Sequence, residues 1–305
     1  VITLNDQILL GVIRISNSFK GILLDAYGVF WGGNDCGVLP GTKETMEKLV
    51  SSGKIVGILS NSTQLASKEI NKLHLHGLIQ DKHFHFLITS GEVAKYIFFN
   101  EKLPFETPNN KFWLFGGIHP KYASHEAIFQ NTLYSETSNI EEADFIYISI
   151  PHINGEDQIN PEVFRKEIER LKIKNLPMIC PNPDLFAHEG NPSRLVVRQG
   201  SIALMYEEME GEVFYIGKPH NKAYTMAMKQ FEKYACTSPL EVLMIGDTPE
   251  TDIRGARLFG MSSALVTQTG IMADRIAHSG LENALKALIP SDSPDYFIKR
   301  LADDL

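Results

Sequence analysis

Residues 21–29 read Gly21-Ile22-Leu23-Leu24-Asp25-Ala26-Tyr27-Gly28-Val29. A short unbroken apolar run of this kind, closed by a turn signal, predicts a strand buried on both faces. Here the run ends on a carboxylate. Three further runs repeat the pattern: residues 55–59 before Ser60, residues 213–216 before Gly217 and Lys218, and residues 242–245 before Gly246 and Asp247. Helical spacing follows two of them. Ala66, Ile70 and Leu73 share one face after Ser62, with Gly77 as the stop, and Ile253, Ala256 and Gly260 do so after Asp252. Apolar strands alternating with amphipathic helices predict an α/β fold with a parallel sheet covered on both faces.

The middle of the chain has a different texture. A polar, proline-containing stretch at residues 104–110 precedes new apolar runs at 112–115, 145–150 and 178–180. Helical patterns lie around residues 161–171 and 202–209. The reading is a second α/β unit, residues 110–212, inserted into a core made of residues 1–109 and 213–305. Residues 265–272 read as the last strand and its loop, with no chemistry assigned.

In an open parallel sheet, ligands bind beyond the carboxyl ends of the strands. Asp25, Ser60, Lys218 and Asp247 are therefore expected to meet at one site, although they lie far apart in sequence. Their types suit phosphoryl transfer. A carboxylate such as Asp25 can attack phosphorus and form an acyl phosphate, dividing one difficult displacement into two. Asp25, Asp247 and Asp252 would crowd negative charge that a phosphate dianion cannot approach without cations. Mg²⁺ together with Lys218 balances those carboxylates, and hard oxygen donors without His or Cys favour Mg²⁺ over zinc. Ser60 and Asn61, at a predicted helix start, offer a hydroxyl and backbone N–H groups to phosphoryl oxygens.

Composition narrows the classes. With 43% hydrophobic and 22% charged residues the chain can build a core, which excludes a disordered polymer. A net charge of −8 argues against a partner built on phosphate backbones, so no nucleic acid is expected. Cys36, Cys180 and Cys236 form no CxxC pair and read as small buried hydrophobes of a reducing compartment rather than a disulfide or zinc set. No apolar run approaches the ~18 residues of a membrane span. Residues 8–13 lack the basic flank and cleavage site of a signal peptide. No membrane association and a cytoplasmic location are the expectation, and a homodimer stays open.

Several tempting residues are better read as structural. His74 with His76 and His83 with His85 have a spacing that converges on metal only in a strand, so solvated or core roles are expected. His220 reads as part of a turn, and Trp31 and Trp113 as core. Asp184, in Asn182-Pro183-Asp184, is either a substrate contact from the inserted unit or a helix cap.

The motifs Asp25-Ala26-Tyr27-Gly28-Val29, Leu59-Ser60-Asn61, Gly217-Lys218-Pro219-His220 and Gly246-Asp247-Thr248-Pro249-Glu250-Thr251-Asp252-Ile253 resemble the four motifs of the haloacid dehalogenase (HAD) superfamily. With Pro181-Asn182-Pro183-Asp184 in the insertion, the pattern resembles subfamily IIA, the NagD-like and nitrophenyl-phosphatase group. The likeness spans about residues 21–270. It implies a Rossmann-like core, an inserted α/β cap of the C2 type, Mg²⁺, and hydrolysis of a small phosphorylated metabolite. Carried over, Asp25 would be nucleophile and metal ligand, and Asp247 a metal ligand. Asp252 would hold metal-bound water or orient its neighbours. Ser60 and Lys218 would bind the phosphoryl group.

One position departs from the family. Most of its phosphatases carry a second Asp two residues after the nucleophile, which protonates the leaving group and then activates water; here that residue is Tyr27. Its backbone carbonyl can still serve as a metal ligand. A phenol, with a reference pKa of about 10, can donate a proton but is a poor base near neutrality, so slow turnover is expected. Two other readings stand beside the phosphatase: a non-catalytic phosphate-metabolite sensor, and a haloacid dehalogenase in which Asp25 attacks carbon without metal. Dehalogenases of that type place their cap between the first two motifs, whereas here the long insertion separates Ser60 from Lys218. A P-loop is excluded, because Pro219 stands where Ser or Thr is required.

Overall fold

The structure is a computed structural model that describes residues 11–122, 124–190 and 194–302. The chain first lays down β1 (Gly21–Leu24), β2 (Ile55–Ser60) and β3 (Phe86–Thr89), then crosses to a second sheet. That passage contains β4 (Lys111–Phe115), β5 (Ser135–Glu136), β6 (Phe145–Ile148), the small hairpin β7 (His152–Ile153) and β8 (Glu156–Asp157), and β9 (Met178–Cys180). A second hairpin, β10 (Phe186–Glu189) with β11 (Arg194–Val197), precedes β12 (Val213–Tyr215). The chain then returns to the first sheet with β13 (Val242–Gly246), β14 (Ser262–Val266) and β15 (Tyr296–Ile298).

The first sheet has the order β15-β14-β13-β1-β2-β3 and is parallel throughout. Strand order reverses between β1 and β13, so the crevice at their carboxyl ends is the topological switch point where ligands bind in such folds. The second sheet, β12-β9-β6-β4-β5, is also parallel. The expected doubly covered α/β core with an inserted α/β unit is what the chain forms.

Strand alternation divides the buried side chains between the two faces. Ile22 and Leu24 join Val56, Ile58, Leu243 and Ile245 on one face, against the helices Val12–Ser16 and Thr42–Ser51. Leu23 and Leu59 face the other way, toward the helix Ser90–Asn100. That helix ties the two sheets together: Phe98 lies 4.4 Å from Phe129 and stacks on Phe145 of β6 at 6.3 Å. Beyond the second sheet, Ile146, Ile148 and Met178 pack with Ile168 and Ile202 of the helices Arg165–Lys172 and Gln199–Glu208.

The predicted helix after Ser62 is Ala66–Leu75, and that after Asp252 is Arg254–Phe259, closed by Gly260 in the left-handed region. Three expectations are corrected, and one of the two alternatives for Asp184 is dropped. Residues 213–216 do not add a strand to the first sheet: Val213–Tyr215 pairs with Met178–Cys180 at the edge of the second. Residues 265–272 do not hold the last strand, since Tyr296–Ile298 follows and pairs with β14. Cys36 is exposed, while Cys180 and Cys236 are buried as expected. Asp184 caps no helix with its side chain, which instead bonds Asn61. Of the histidines read as structural, His83 is buried and His74 and His76 are exposed; Trp31 is buried. Residues 1–10 and 303–305 of the predicted core, including part of the 8–13 run, lie outside the described residues. No helix among the described residues is long and apolar enough to cross a membrane.

Candidate active site

Three of the predicted residues arrive on strands of the first sheet. Asp25 follows β1, Ser60 ends β2, and Asp247 follows β13. Asp25 is held in register by its backbone N–H, which donates to the Ile245 carbonyl at 2.9 Å. Lys218 comes by another route, on the segment that leaves β12 in the second sheet. It is 2% exposed, and its ammonium donates to Asp25 Oδ1 at 2.6 Å and to Asp252 Oδ1 at 2.7 Å.

Asp252 is presented by a five-residue π-helical turn, Pro249–Ile253, a rare geometry that frequently marks functional sites. Its second oxygen accepts the backbone N–H groups of Asp247 and Thr248, both at 3.1 Å, which fixes the loop that carries Asp247. Asp247 in turn accepts the Thr248 hydroxyl at 3.0 Å and the Ile271 N–H at 2.7 Å. Ile271 lies in the first turn of the helix Gly270–Ser279, within the 265–272 stretch to which sequence reading gave no chemistry. The backbone comes very close here. A Cβ on Gly270, whose φ is +68°, would sit 1.9 Å from Asp247 Oδ2. Gly270→Ala is therefore expected to cost about 1–3 kcal/mol in stability and to displace the Asp247 carboxylate. Thermal melting and the affinity for a divalent cation, read by titration calorimetry, measure the two effects; a variant unchanged in both would contradict this packing.

Asn61 and Asp184 bind the two sheets' loops to one another. The Asn61 side chain accepts from the Lys218 N–H at 2.8 Å and donates to the Lys218 carbonyl at 3.2 Å and to Asp184 Oδ1 at 2.9 Å. The Ser90 hydroxyl holds the same loop through the Asn61 and Ser62 carbonyls, at 2.8 and 2.9 Å. The Ser60 hydroxyl accepts from the Ser62 N–H at 3.2 Å. Tyr27 is half-buried, and its hydroxyl meets Lys72 Nζ at 3.5 Å, at the edge of hydrogen-bond range. Lys72 is ion-paired with Glu69, which accepts the Ser62 hydroxyl at 3.0 Å. His220 is exposed and stacks on Tyr215, 5.4 Å between centroids.

Electrostatics at the centre are unbalanced. One oxygen each from Asp25, Asp247 and Asp252 lies within 4.8 Å of the others, against the single ammonium of Lys218. Burial raises the Asp25 pKa to about 7, with Lys218 pulling it down and Asp252 pushing it up. Asp247 is raised well above the carboxylate range by burial and then by Asp25 and Asp252. Burial works against the charge on Lys218, but Asp25, Asp252 and Asp184 outweigh it and keep the amine protonated. A buried set of oxygen donors with excess negative charge fits a hard divalent cation.

Asp25, Ser60, Asn61, Asp184 and Asp247 line a cavity of about 590 Å³ that both sheets' loops enclose, whereas Lys218 and Asp252 are buried and do not line it. Its walls include residues that sequence reading did not find: Tyr122, Glu189 and Arg198 from the second unit, and Glu69 and Lys72 from the helix after β2. No motif signalled them: Lys72 and Glu69 read as an ordinary i,i+3 pair on a helix, and Tyr122, Glu189 and Arg198 are polar residues whose partners follow no recognised spacing.

A HAD-hydrolase-like family model matches residues 215–303. A haloacid dehalogenase-like hydrolase from Brucella suis superposes with a TM-score of 0.76 at 22% identity, covering 95% of this chain and 98% of its own. The sugar-phosphatase AraL of Bacillus subtilis is 27% identical over 252 residues, which are 81% of this chain and 82% of that protein. Human chronophin is 23% identical over 292 residues, 93% of this chain and 91% of its own.

Proposed function

We propose that this chain, a haloacid dehalogenase-like hydrolase by its fold, its four motifs and the family model over residues 215–303, is a Mg²⁺-dependent phosphatase of small phosphorylated metabolites. The observation that carries the reading is the hydrogen-bonded set Asp25–Lys218–Asp252, closed by Asp247, at the switch point of the parallel sheet. The phosphatase character of AraL, stated in its name, supports it.

Asp25 would attack phosphorus with one carboxylate oxygen, forming a P–O bond while the bond to the leaving oxygen breaks. Lys218 would neutralise the phosphoryl oxygens from within the site, and the Ser60 hydroxyl and the Asn61 N–H would bind them. Water would then attack the same phosphorus, releasing phosphate and restoring the Asp25 carboxylate. Asp25, Asp247 and Asp252, with the backbone carbonyl of Tyr27, are the groups that would hold Mg²⁺. When bound, the ion would supply the positive charge that lets a phosphate dianion approach these carboxylates. Asp184, from the inserted unit, would meet the substrate from above while holding Asn61.

Phosphate release from a panel of phosphate monoesters, with and without Mg²⁺, tests the reading. Release only with the metal is expected. Ligand binding without turnover of any ester would make the chain a sensor, and metal-independent halide release would make it a dehalogenase.

The carboxylate shifts give a second test. The Asp25 pKa rises from 3.8 to about 7 on folding. The folded chain therefore binds this proton more tightly than the unfolded one, and the contribution to stability is lost as pH rises across that interval. Mg²⁺ needs the ionised carboxylates, so its thermal stabilisation is expected to be larger near pH 8 than near pH 5.5. Melting curves at the two pH values decide this; equal increments would place the cation away from these groups.

A further inference from the structure

The charged side chains along the outer wall of the cavity are spent on one another. Lys72 is paired with Glu69, the Arg275 guanidinium forks onto Glu250 at 2.7 and 2.9 Å, and His188 Nε2 meets Asp274 Oδ2 at 2.5 Å. Among the described residues, the strongly buried cation of that wall is Arg198, 4% exposed. Its Nη1 donates to Asp157 Oδ1 at 2.9 Å and its Nη2 to Glu189 Oε1 at 2.8 Å. Glu189 also accepts the Tyr122 hydroxyl at 3.1 Å, and that hydroxyl accepts from Asn34 Nδ2 of the first unit at 3.2 Å. Arg198 thus meets the cavity within a group that holds one positive and two negative charges. Lys68 and Lys121 are the lining cations with no ion pair among the described residues, and both are exposed.

We infer that Glu189 determines specificity: by cancelling Arg198 at the cavity wall, it fits the site to phosphate esters whose leaving group is uncharged and hydroxylated. The inference rests on the phosphatase reading above. A carboxylate or second phosphate on the leaving group meets a guanidinium whose two Nη atoms already serve carboxylates, and two carboxylates that repel it. A hydroxyl can both donate to Glu189 and accept from neighbouring donors, so it loses less on leaving water. An unpaired Arg198 would reverse this preference, because guanidinium is the side chain best suited to carboxylate and phosphate.

The test compares sn-glycerol 3-phosphate with 3-phosphoglycerate, which differ by a hydroxymethyl group against a carboxylate, using an activated aryl phosphate as the control. With Mg²⁺, the wild type is expected to favour the neutral ester in kcat/KM by roughly tenfold or more. Glu189→Gln keeps an acceptor for Tyr122 and removes the charge, and is expected to shrink that ratio by roughly tenfold. A wild type that prefers the carboxylate ester overturns the inference, whether or not the variant folds. So does a variant that melts like the wild type and hydrolyses the aryl phosphate with an unchanged ratio. If the wild type releases phosphate from none of the three, the phosphatase reading itself falls, and the specificity inference with it.

Discussion

Asp25→Asn is expected to lose at least ~10³-fold in phosphate release while keeping the fold. An amide is neither a nucleophile toward phosphorus nor an anionic ligand. It is nonetheless nearly the shape of the carboxylate, and its oxygen can still accept the Lys218 ammonium that Asp25 Oδ1 takes at 2.6 Å. The substitution also removes one negative charge from a buried set that has too many, so the metal-free protein is expected to melt no lower than the wild type. Phosphate release from an aryl phosphate and a melting curve measure the two outcomes. If the variant kept more than a few per cent of activity, covalent catalysis by Asp25 would be wrong.

Tyr27→Asp is expected to act in the opposite direction. Burial, then Glu69 and Glu189, raise the Tyr27 pKa well above its ordinary value, so the phenol is a poorer acid than usual and no base at neutral pH. Its hydroxyl reaches toward Lys72. A carboxyl group at this position would restore a group able to protonate the leaving oxygen and then activate water. A positioned acid/base typically contributes about 10²–10⁴-fold, and the gain should be largest for alkyl phosphates, whose leaving groups need the proton. With an activated aryl phosphate the first step should change less. A wild-type burst of alcohol followed by slow phosphate release would locate the bottleneck at the second step. A folded, Mg²⁺-binding Tyr27→Asp with both steps unchanged or slower would reduce Tyr27 to a wall residue of the cavity.

Much of this arrangement was legible in the chain. Residues 21–24, 55–60 and 242–246 are apolar runs that stop at or just before a polar group, because a buried parallel strand must be apolar and its carboxyl end must not. The same signal misled at residues 213–216. A run buried on both faces carries no mark of which parallel sheet it enters, so Lys218 was expected at the end of a first-sheet strand and instead arrives from the second. Tyr296–Ile298, three residues long, is too short for periodicity to declare. Beyond Asp184, the part of the cavity wall that the inserted unit supplies is not legible in the sequence. Glu189, Arg198, Asp157 and Tyr122 acquire meaning only from pairings across the inserted unit, which no spacing rule encodes. The sequence offers the backbone N–H of Asn61 to a phosphoryl group but gives no sign that its side chain holds Lys218 and Asp184.

The most direct test of the central claim is to trap the intermediate. Enzyme mixed with a phosphate monoester and Mg²⁺, quenched in acid within one turnover and mapped by peptide mass spectrometry, is expected to carry one phosphoryl group on Asp25, and Asp25→Asn none. Full turnover by the wild type with no phosphorylated peptide at any time point, or with the phosphoryl group on another residue, would contradict nucleophilic catalysis by Asp25.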